Sequence, residues 1–596
     1  MLILPKWLQK RYDALLEMFG ESEFRFNDAA ELLSQKFSEE LSHVNVILSE
    51  LRKAGYLEVK FDPTDARKKI YKLVSTKEII SKNLKVEDKK LSRGDLESIL
   101  KSAADIIRTR VDYTFILVLL FYKRICDKWK YEYKIAYQEA IEDGFSEEEA
   151  RVEAKNSVYH DFDLNEELLW ENIRKDPARL PENLSKTMRK IAEKNPELKD
   201  IFENIDFLQF TTNTENIEIL RQLVEIFSSK SLKNVPPDVL GDAYEWLIRY
   251  FAPQKAKEGE VYTPKEIIKL MVEIVDPKPG ESVYDPACGS GGMLINSYKH
   301  IEEKNGRDAA DKLLLFGQEY NSKTLALAKM NLYIHDIRNG HLFLGDTLLY
   351  PKIKDGGKPK KFDIVIANPP WNQDGYPEEV VKKGEFYKER FPFGFANKQS
   401  ADWLWIQHMI YSSKEDTGRI GIVIDNGCLF RGGKEKYIRS KVVDNDLIEA
   451  LILLPEKLFY NTGAPGAIII LNRNKPDSRK GKILFINASN EYEQHPDVRK
   501  LNRLSEKNIE KIIQAYREFK DIEGFSRVVG IDEIKKDNDY NLNVTLYVFP
   551  EEKTEEIDIT KEWMELKNLE NEIAENEKKI ENYLSELGLY ILNNRN

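Results

Sequence analysis

The stretch "IVIANPPWNQ", Ile364 to Gln373, joins an apolar run to a tip suited to chemistry. Ile364 to Ala367 have the composition of a buried strand. Proline cannot donate to a sheet ladder, and two in a row fix the backbone, so the strand must stop at Asn368-Pro369-Pro370-Trp371. An amide and a flat aromatic face are thereby held in one geometry. A ligand or substrate at that tip must need such rigidity.

A second stretch, "SVYDPACGSGGML", runs from Ser282 to Leu294. A short strand ends at Asp285, and Gly289, Ser290, Gly291 and Gly292 make a tight loop before an amphipathic segment. Glycines let a ligand approach the backbone closely. The loop lacks G-x-x-x-x-G-K-[ST] and departs from G-x-G-x-x-G, so it is neither a phosphate-gripping loop nor a dinucleotide fingerprint. Alone it reads as a bare turn; its neighbours change that. Glu319 ends the next strand, "LLLFGQE", where a carboxylate can accept both hydroxyls of a ribose. Asp346, in "FLGDT", ends the strand after that and can bind an adenine amino group. Acids at successive strand ends beside a glycine loop suit an adenosine ligand without phosphates. S-adenosylmethionine fits; NAD fits worse, for want of the pyrophosphate fingerprint. Upstream, "GEVYTPKEI" places Tyr262, Thr263 and Pro264 before a helix. Thr263 is expected to cap that helix and to face the methionine end of the ligand; the plainer reading is a helix start with proline in its first turn.

The elements that position these residues are legible as alternating apolar and amphipathic segments over residues 252–475. "SVYD", "LLLFGQE", "HLFLGD", "FDIVIAN", "GRIGIVID", "EALILLP" and "GAIIILN" read as strands of a parallel α/β sheet. Residues 95–251 read as helical. There "FILVLLFY", Phe115 to Tyr122, is too short to span a bilayer and reads as a core helix. Residues 1–75 show three helices and a hairpin, a winged-helix-like unit, with Arg67, Lys68 and Lys69 on the wing. Residues 76–94 read as a charged linker and 476–560 as an extension of the catalytic domain. From residue 561 a heptad sets Leu566, Ile573, Ile580 and Leu587 seven apart. Leu569, Asn576, Tyr583 and Tyr590 sit three further on, a coiled-coil seam for a partner. The alternative is an amphipathic helix lying on its own domain.

With 596 residues the chain exceeds one core. Its three cysteines lack metal-ligand spacing, and no signal peptide or membrane span is expected, which points to the cytoplasm. A net charge of −11 speaks against a broad nucleic-acid face, so any work on DNA relies on local basic patches or on a partner.

"DPACGSGG" followed by "NPPW" resembles the amino-methyltransferases, and with Asn first it looks most like the adenine-N6 DNA methyltransferases. "DLESILKSAADIIRTRVDYTFILVLLFYKRICDKW" is similar to the N-terminal helical domain of type I restriction-modification methylase subunits. "VYTPKEIIKLMVEIVDPKPGESVYDPACGSGGML" and "NTGAPGAIIILN" resemble their catalytic domain. The resemblance spans roughly residues 95–590 and implies an α/β S-adenosylmethionine-dependent methyltransferase fold. It implies that Tyr262, Thr263, Pro264, Asp285, Gly289, Ser290, Gly291, Gly292, Glu319 and Asp346 contact the cofactor, and that Asn368, Pro369, Pro370 and Trp371 form the catalytic loop. The Asn368 oxygen and the Pro369 carbonyl would accept the two N–H bonds of an adenine amine, freeing its lone pair. Trp371 would stack on the base, and a duplex base must be flipped out to reach it. No metal enters this chemistry. Family members work as two modification subunits on one specificity subunit that reads the DNA, and they restrict DNA when a nuclease-translocase subunit joins. Residues 1–75 are not a usual part of such a subunit. Two other readings stand beside this one: a stand-alone RNA or protein methyltransferase, and a winged-helix DNA-binding regulator that only binds cofactor. Between the catalytic tip and the next strand, Arg390, Lys398 and the phenylalanines of "EFYKERFPFGFANK" are expected in a mobile loop; Trp403, Trp405 and His408 are expected in the core.

Overall fold

The computed structural model describes residues 6–20, 22–37, 39, 41–53, 56–62, 65–74, 91–107, 112–203, 205–233, 235–257, 262–460, 462–496, 498–549 and 559–586. The first unit has the helices Lys6–Phe19, Phe26–Phe37 and Leu41–Lys53. Beside them lie the strands β1 (Glu23–Arg25), β2 (Leu57–Asp62) and β3 (Asp65–Leu73), in the antiparallel order β1-β3-β2. This is the winged-helix arrangement. Its core is small: Leu15, Leu33, Val44, Leu51 and Leu73 are fully buried. The second helix begins at Phe26, so Asn27 lies inside its first turn instead of capping it; Asp28 Oδ2 accepts from the Arg25 N–H at 2.7 Å. Most of the expected linker lies outside the described residues, as do the side chains of Arg67 and Lys68.

From Arg93 to Lys257 the chain is helical. The helix Thr114–Glu142 is apolar all round in its first half, and Ile116 to Tyr122 are no more than 1% exposed, as a core helix requires. The helix Pro237–Lys257 runs straight through the boundary expected at 251/252. The reason is continuous burial: Leu240, Tyr244, Leu247 and Phe251 all belong to one core. That core also takes in Leu327, Met330 and Ile334 from the helix Ser322–Ile334 of the catalytic domain, so the two units share buried surface.

The catalytic domain is a sheet of nine strands. In chain order they are β4 (Ser282–Asp285), β5 (Leu314–Glu319), β6 (Gly340–Leu344), β7 (Ile364–Ala367), β8 (Arg419–Asp425), β9 (Ile448–Leu453), β10 (Gly466–Asn472), β11 (Lys482–Asn487) and β12 (Ser526–Gly530). Their spatial order is β12-β11-β9-β10-β8-β7-β4-β5-β6. The sheet is mixed, not wholly parallel: β10 runs antiparallel to both β8 and β9, and β12 antiparallel to β11. β11 and β12 extend the same sheet beyond residue 475, so the C-terminal extension is part of the catalytic domain. Alternate side chains of each strand feed two cores. Val283, Ile364 and Ile366 face one, while Tyr284, Val365 and Ala367 face the other. The strand order reverses at β4: the chain moves outward through β5 and β6, then returns to place β7 on β4's other side. A ligand crevice opens at the carboxyl ends of strands at such a reversal. The final helix, Ile559–Glu586, leaves Leu566, Leu569, Ile573, Ile580 and Tyr583 exposed; Leu587 and Tyr590 lie outside the described residues.

One close approach locks the helical unit to the catalytic domain. Gly241 lies under the His335 ring, and a Cβ there would fall 1.9 Å from its Cε1. His335 is itself 5% exposed and cannot swing into water without breaking that packing. Gly241→Ala is expected to lower stability by about 1–3 kcal/mol through overpacking, read as a fall in the thermal midpoint, with no loss of secondary structure by circular dichroism.

Candidate active site

The glycine loop leaves β4 and the Asn-Pro-Pro-Trp tip leaves β7, its neighbour. Between them, at the carboxyl ends of the strands, lies a cavity of about 230 Å³. A smaller one of about 50 Å³ adjoins it, sharing Tyr262, Ala287, Gly289, Ser290 and Asn368 with the first. The loop turns through left-handed conformations at Gly289 (φ +52°) and Gly291 (φ +84°), which side chains disfavour, and the helix Gly292–Asn305 starts there.

Of the residues singled out by sequence, Gly289, Ser290, Glu319, Asp346, Asn368 and Pro370 line the larger cavity, and Asp285, Thr263 and Gly292 line the smaller. Tyr262 lines both. Pro264 holds the N-cap position of the helix Lys265–Val275 with no side-chain cap. Thr263 therefore does not cap that helix. Its Oγ1 instead accepts from Asn368 Nδ2 at 2.9 Å. Gly291, Pro264, Pro369 and Trp371 are not on either cavity wall. The Trp371 ring packs edge-on against Phe459 with centroids 4.6 Å apart, and its Nε1 donates to Asn368 Oδ1 at 2.9 Å. In this structure it acts as a clamp for Asn368, not as an open stacking face.

The acids are held by backbone donors. Glu319 accepts from the Gly289 N–H at 3.0 Å and the Asn321 N–H at 2.9 Å. Burial raises its pKa, and those two N–H groups pull the other way. Asp346 accepts from Tyr376 Oη at 3.0 Å and the Leu349 N–H at 3.1 Å. Asp285 is 2% exposed, and burial raises its pKa to about 8, against the pull of one N–H from Ala287. No lysine or arginine lines the larger cavity among the described residues, while Glu319 and Asp346 both do. That donor set repels a pyrophosphate and suits a cationic nucleoside. The residues present therefore fit S-adenosylmethionine.

Sequence reading missed the scaffold of the catalytic tip. Asn372 has φ +51°, and its N–H donates to Asp402 Oδ1 at 3.1 Å. Arg431 Nη2 donates to Asn372 Oδ1 at 2.5 Å and also binds Asp425, while Nη1 reaches Asp402 at 3.3 Å. Trp405 Nε1 donates to Gln373 Oε1 at 3.1 Å. Asp402 is fully buried at the start of the helix Asp402–Ser412, and its role shows only when the chain folds. Arg390 is likewise fully buried, donating to the carbonyls of Thr347 and Leu348 and to His408 Nδ1. It is a structural post, not part of a mobile loop; Lys398 is exposed. Trp403, Trp405 and His408 are buried, as expected.

A family model described as N-6 DNA Methylase matches residues 235–556, and one described as the HsdM N-terminal domain matches residues 96–227. The chain is 45% identical to the type I restriction enzyme MjaVIII methylase subunit of Methanocaldococcus jannaschii, over 98% of both chains. It is 44% identical to the MjaVII methylase subunit of the same organism, over 96% of both. Among solved structures, the type I restriction-modification methyltransferase subunit of Streptococcus thermophilus superposes with a TM-score of 0.65 at 29% identity, covering 77% of this chain and 100% of that one.

Removing the anchor of the catalytic tip tests the geometry. Asp402→Ala is expected to cut methyl transfer by about 10²-fold through misplacement of the tip, with cofactor affinity by calorimetry unchanged. Asp285 offers a second check. An unfolded aspartate ionises near its ordinary value, whereas the folded one resists until about 8. Its contribution is thus fully present at acid pH and lost as pH rises through about 8, and Asp285→Asn should flatten that part of the stability–pH curve.

Proposed function

The chain belongs to the type I restriction enzyme methylase subunits, within the N-6 DNA methylases, and on that premise we propose how its own residues carry the reaction. It is an S-adenosylmethionine-dependent DNA methyltransferase that modifies adenine at N6. When bound, S-adenosylmethionine supplies a methyl group on a positively charged sulfur. Glu319 accepts the ribose hydroxyls and Asp346 the adenine amine of that ligand, with Gly289 and Ser290 giving close backbone approach.

Asn368 carries the reading. It faces both cavities while its amide is gripped from two sides, by Thr263 at Nδ2 and by Trp371 at Oδ1. One lone pair of Oδ1 is taken by Trp371, and the other accepts an N–H of the flipped adenine. The Pro369 carbonyl accepts the second N–H. Together they turn the nitrogen lone pair toward the cavity. The prolines and the Asp402–Arg431 scaffold hold both acceptors still, so no reorganisation is needed during transfer. Phe459 and Trp371 shape the wall beside the base.

We further propose that a separate specificity subunit reads the DNA sequence. The exposed apolar stripe of the helix Ile559–Glu586 docks there, in an assembly of two modification subunits per specificity subunit that a restriction subunit can join. Among the described residues no helix is long and apolar enough to cross a membrane. The three cysteines are buried and unpaired, which suits the cytoplasm as the site of action.

Transfer of labelled methyl to duplex DNA, with and without the specificity subunit, tests this directly. N6-methyladenine is expected only with the partner present. Methylation by the chain alone would show that it carries its own reader, with residues 1–75 the first suspect. Asn368→Ala should lower transfer by at least about 10²–10³-fold while leaving cofactor affinity intact; a loss of both would mean the site is misplaced.

A further inference from the structure

The smaller cavity differs in chemistry from the larger one. It is closed by Glu245, from the helix Pro237–Lys257, and by Lys265, the first residue of the helix Lys265–Val275. Glu245 is 8% exposed. Its carboxylate lies 3.1 Å from Lys265 Nζ and 3.5 Å from His335 Nε2, and its Oε1 is buried without a hydrogen bond. Asn331, 1% exposed, lines the same cavity; its Nδ2 donates to the Ser290 carbonyl at 3.0 Å, and its Oδ1 has no donor. Two orphaned acceptors thus stand beside one ammonium. A buried acceptor left unpaired is costly, and a native structure keeps one where a ligand completes it.

The charges around the cavity cancel. Lys265 and Lys299 face Glu245 and Asp242, with Asp242 3.3 Å from Lys265 and 3.6 Å from Lys299. Burial depresses the pKa of His335 and keeps its ring neutral. A phosphate or a metal cation would upset that balance, whereas an occupant bearing both signs would not.

We propose that this cavity seats the zwitterionic amino-acid end of S-adenosylmethionine, with Glu245 Oε1 and Asn331 Oδ1 accepting from its ammonium and Lys265 donating to its carboxylate. This rests on the methyltransferase reading above and adds Glu245 to the binding residues. It also gives the helical unit a part in cofactor binding. Glu245 sits one residue from Tyr244 and two from Leu247, both buried in the helical core. Ile248 of the same helix lines both cavities.

Two ligands separate this seat from the rest of the site. S-adenosylhomocysteine carries the amino-acid end; 5′-methylthioadenosine keeps the nucleoside and thioether without it. Calorimetry on the full chain should show Glu245→Gln binding S-adenosylhomocysteine about 10- to 100-fold more weakly, with 5′-methylthioadenosine affinity unchanged. Lys265→Met, at a side chain 34% exposed, should show the same selective loss and carries the test should the Glu245 variant not fold. Equal losses for both ligands, or no loss for S-adenosylhomocysteine, would overturn the proposal. A wild-type chain that binds neither ligand would overturn the methyltransferase reading with it.

Discussion

Strands β4 and β7 lie side by side, and the rest of the active site depends on that pairing. Each ends in a segment that cannot continue a ladder: β4 in a glycine loop, β7 in two prolines. The register pairs Val283 with Ile364 and Tyr284 with Val365, so the two ends emerge together. Because the chain runs outward from β4 and then returns across it, the connecting segments diverge and leave a crevice. The cofactor loop and the catalytic tip meet there by construction. Burial of alternate strand residues in two separate cores holds this register, since a one-residue slip would exchange every side chain between them.

A rigid strand end still does not orient an amide. Asn368 is aligned by Thr263 on one side and Trp371 on the other, and the residues after it are tied down by Asp402 and Arg431. This network holds several charges where water is scarce. Burial raises the pKa of Glu435, and both its carboxylate oxygens lack hydrogen bonds although Arg431 lies 3.6 Å away. Such a network is expensive for stability and is kept where placement of atoms matters more. The same logic applies to Arg390, whose guanidinium ties the turn after β6 to the helix carrying His408.

The helical unit is more than an appendage to the sheet. Tyr113 and Ile248 form part of the cofactor cavity wall, and the helix Ser322–Ile334 buries its apolar face in the helical core. Ion pairs reinforce the join, with Asp161 held by Lys128 and by Arg338 from the catalytic domain. Ligand binding between the units therefore stabilises their packing, and the packing shapes the site.

Local pattern was enough for much of this. The seven apolar runs from "SVYD" to "GAIIILN" are strands because β-branched and aromatic residues cluster between turn signals, and the tip at Asn368 is legible because proline has no N–H. The cofactor class followed from Glu319 and Asp346 ending consecutive strands. What the sequence could not settle was pairing. Nothing in "GAIIILN" says that it runs antiparallel between β8 and β9, and nothing in "KILFIN" says that β11 joins the same sheet, because strand direction is set by partners distant in the chain. Asp402 and Glu245 escaped for the same reason: a buried carboxylate reads as surface charge until folding brings Arg431 or Lys265 beside it. Sequence alone determined which residues could do the chemistry. Tertiary structure decided which faced the cavity and turned Trp371 from an expected stacking face into a clamp, because side-chain direction depends on packing that no local window contains.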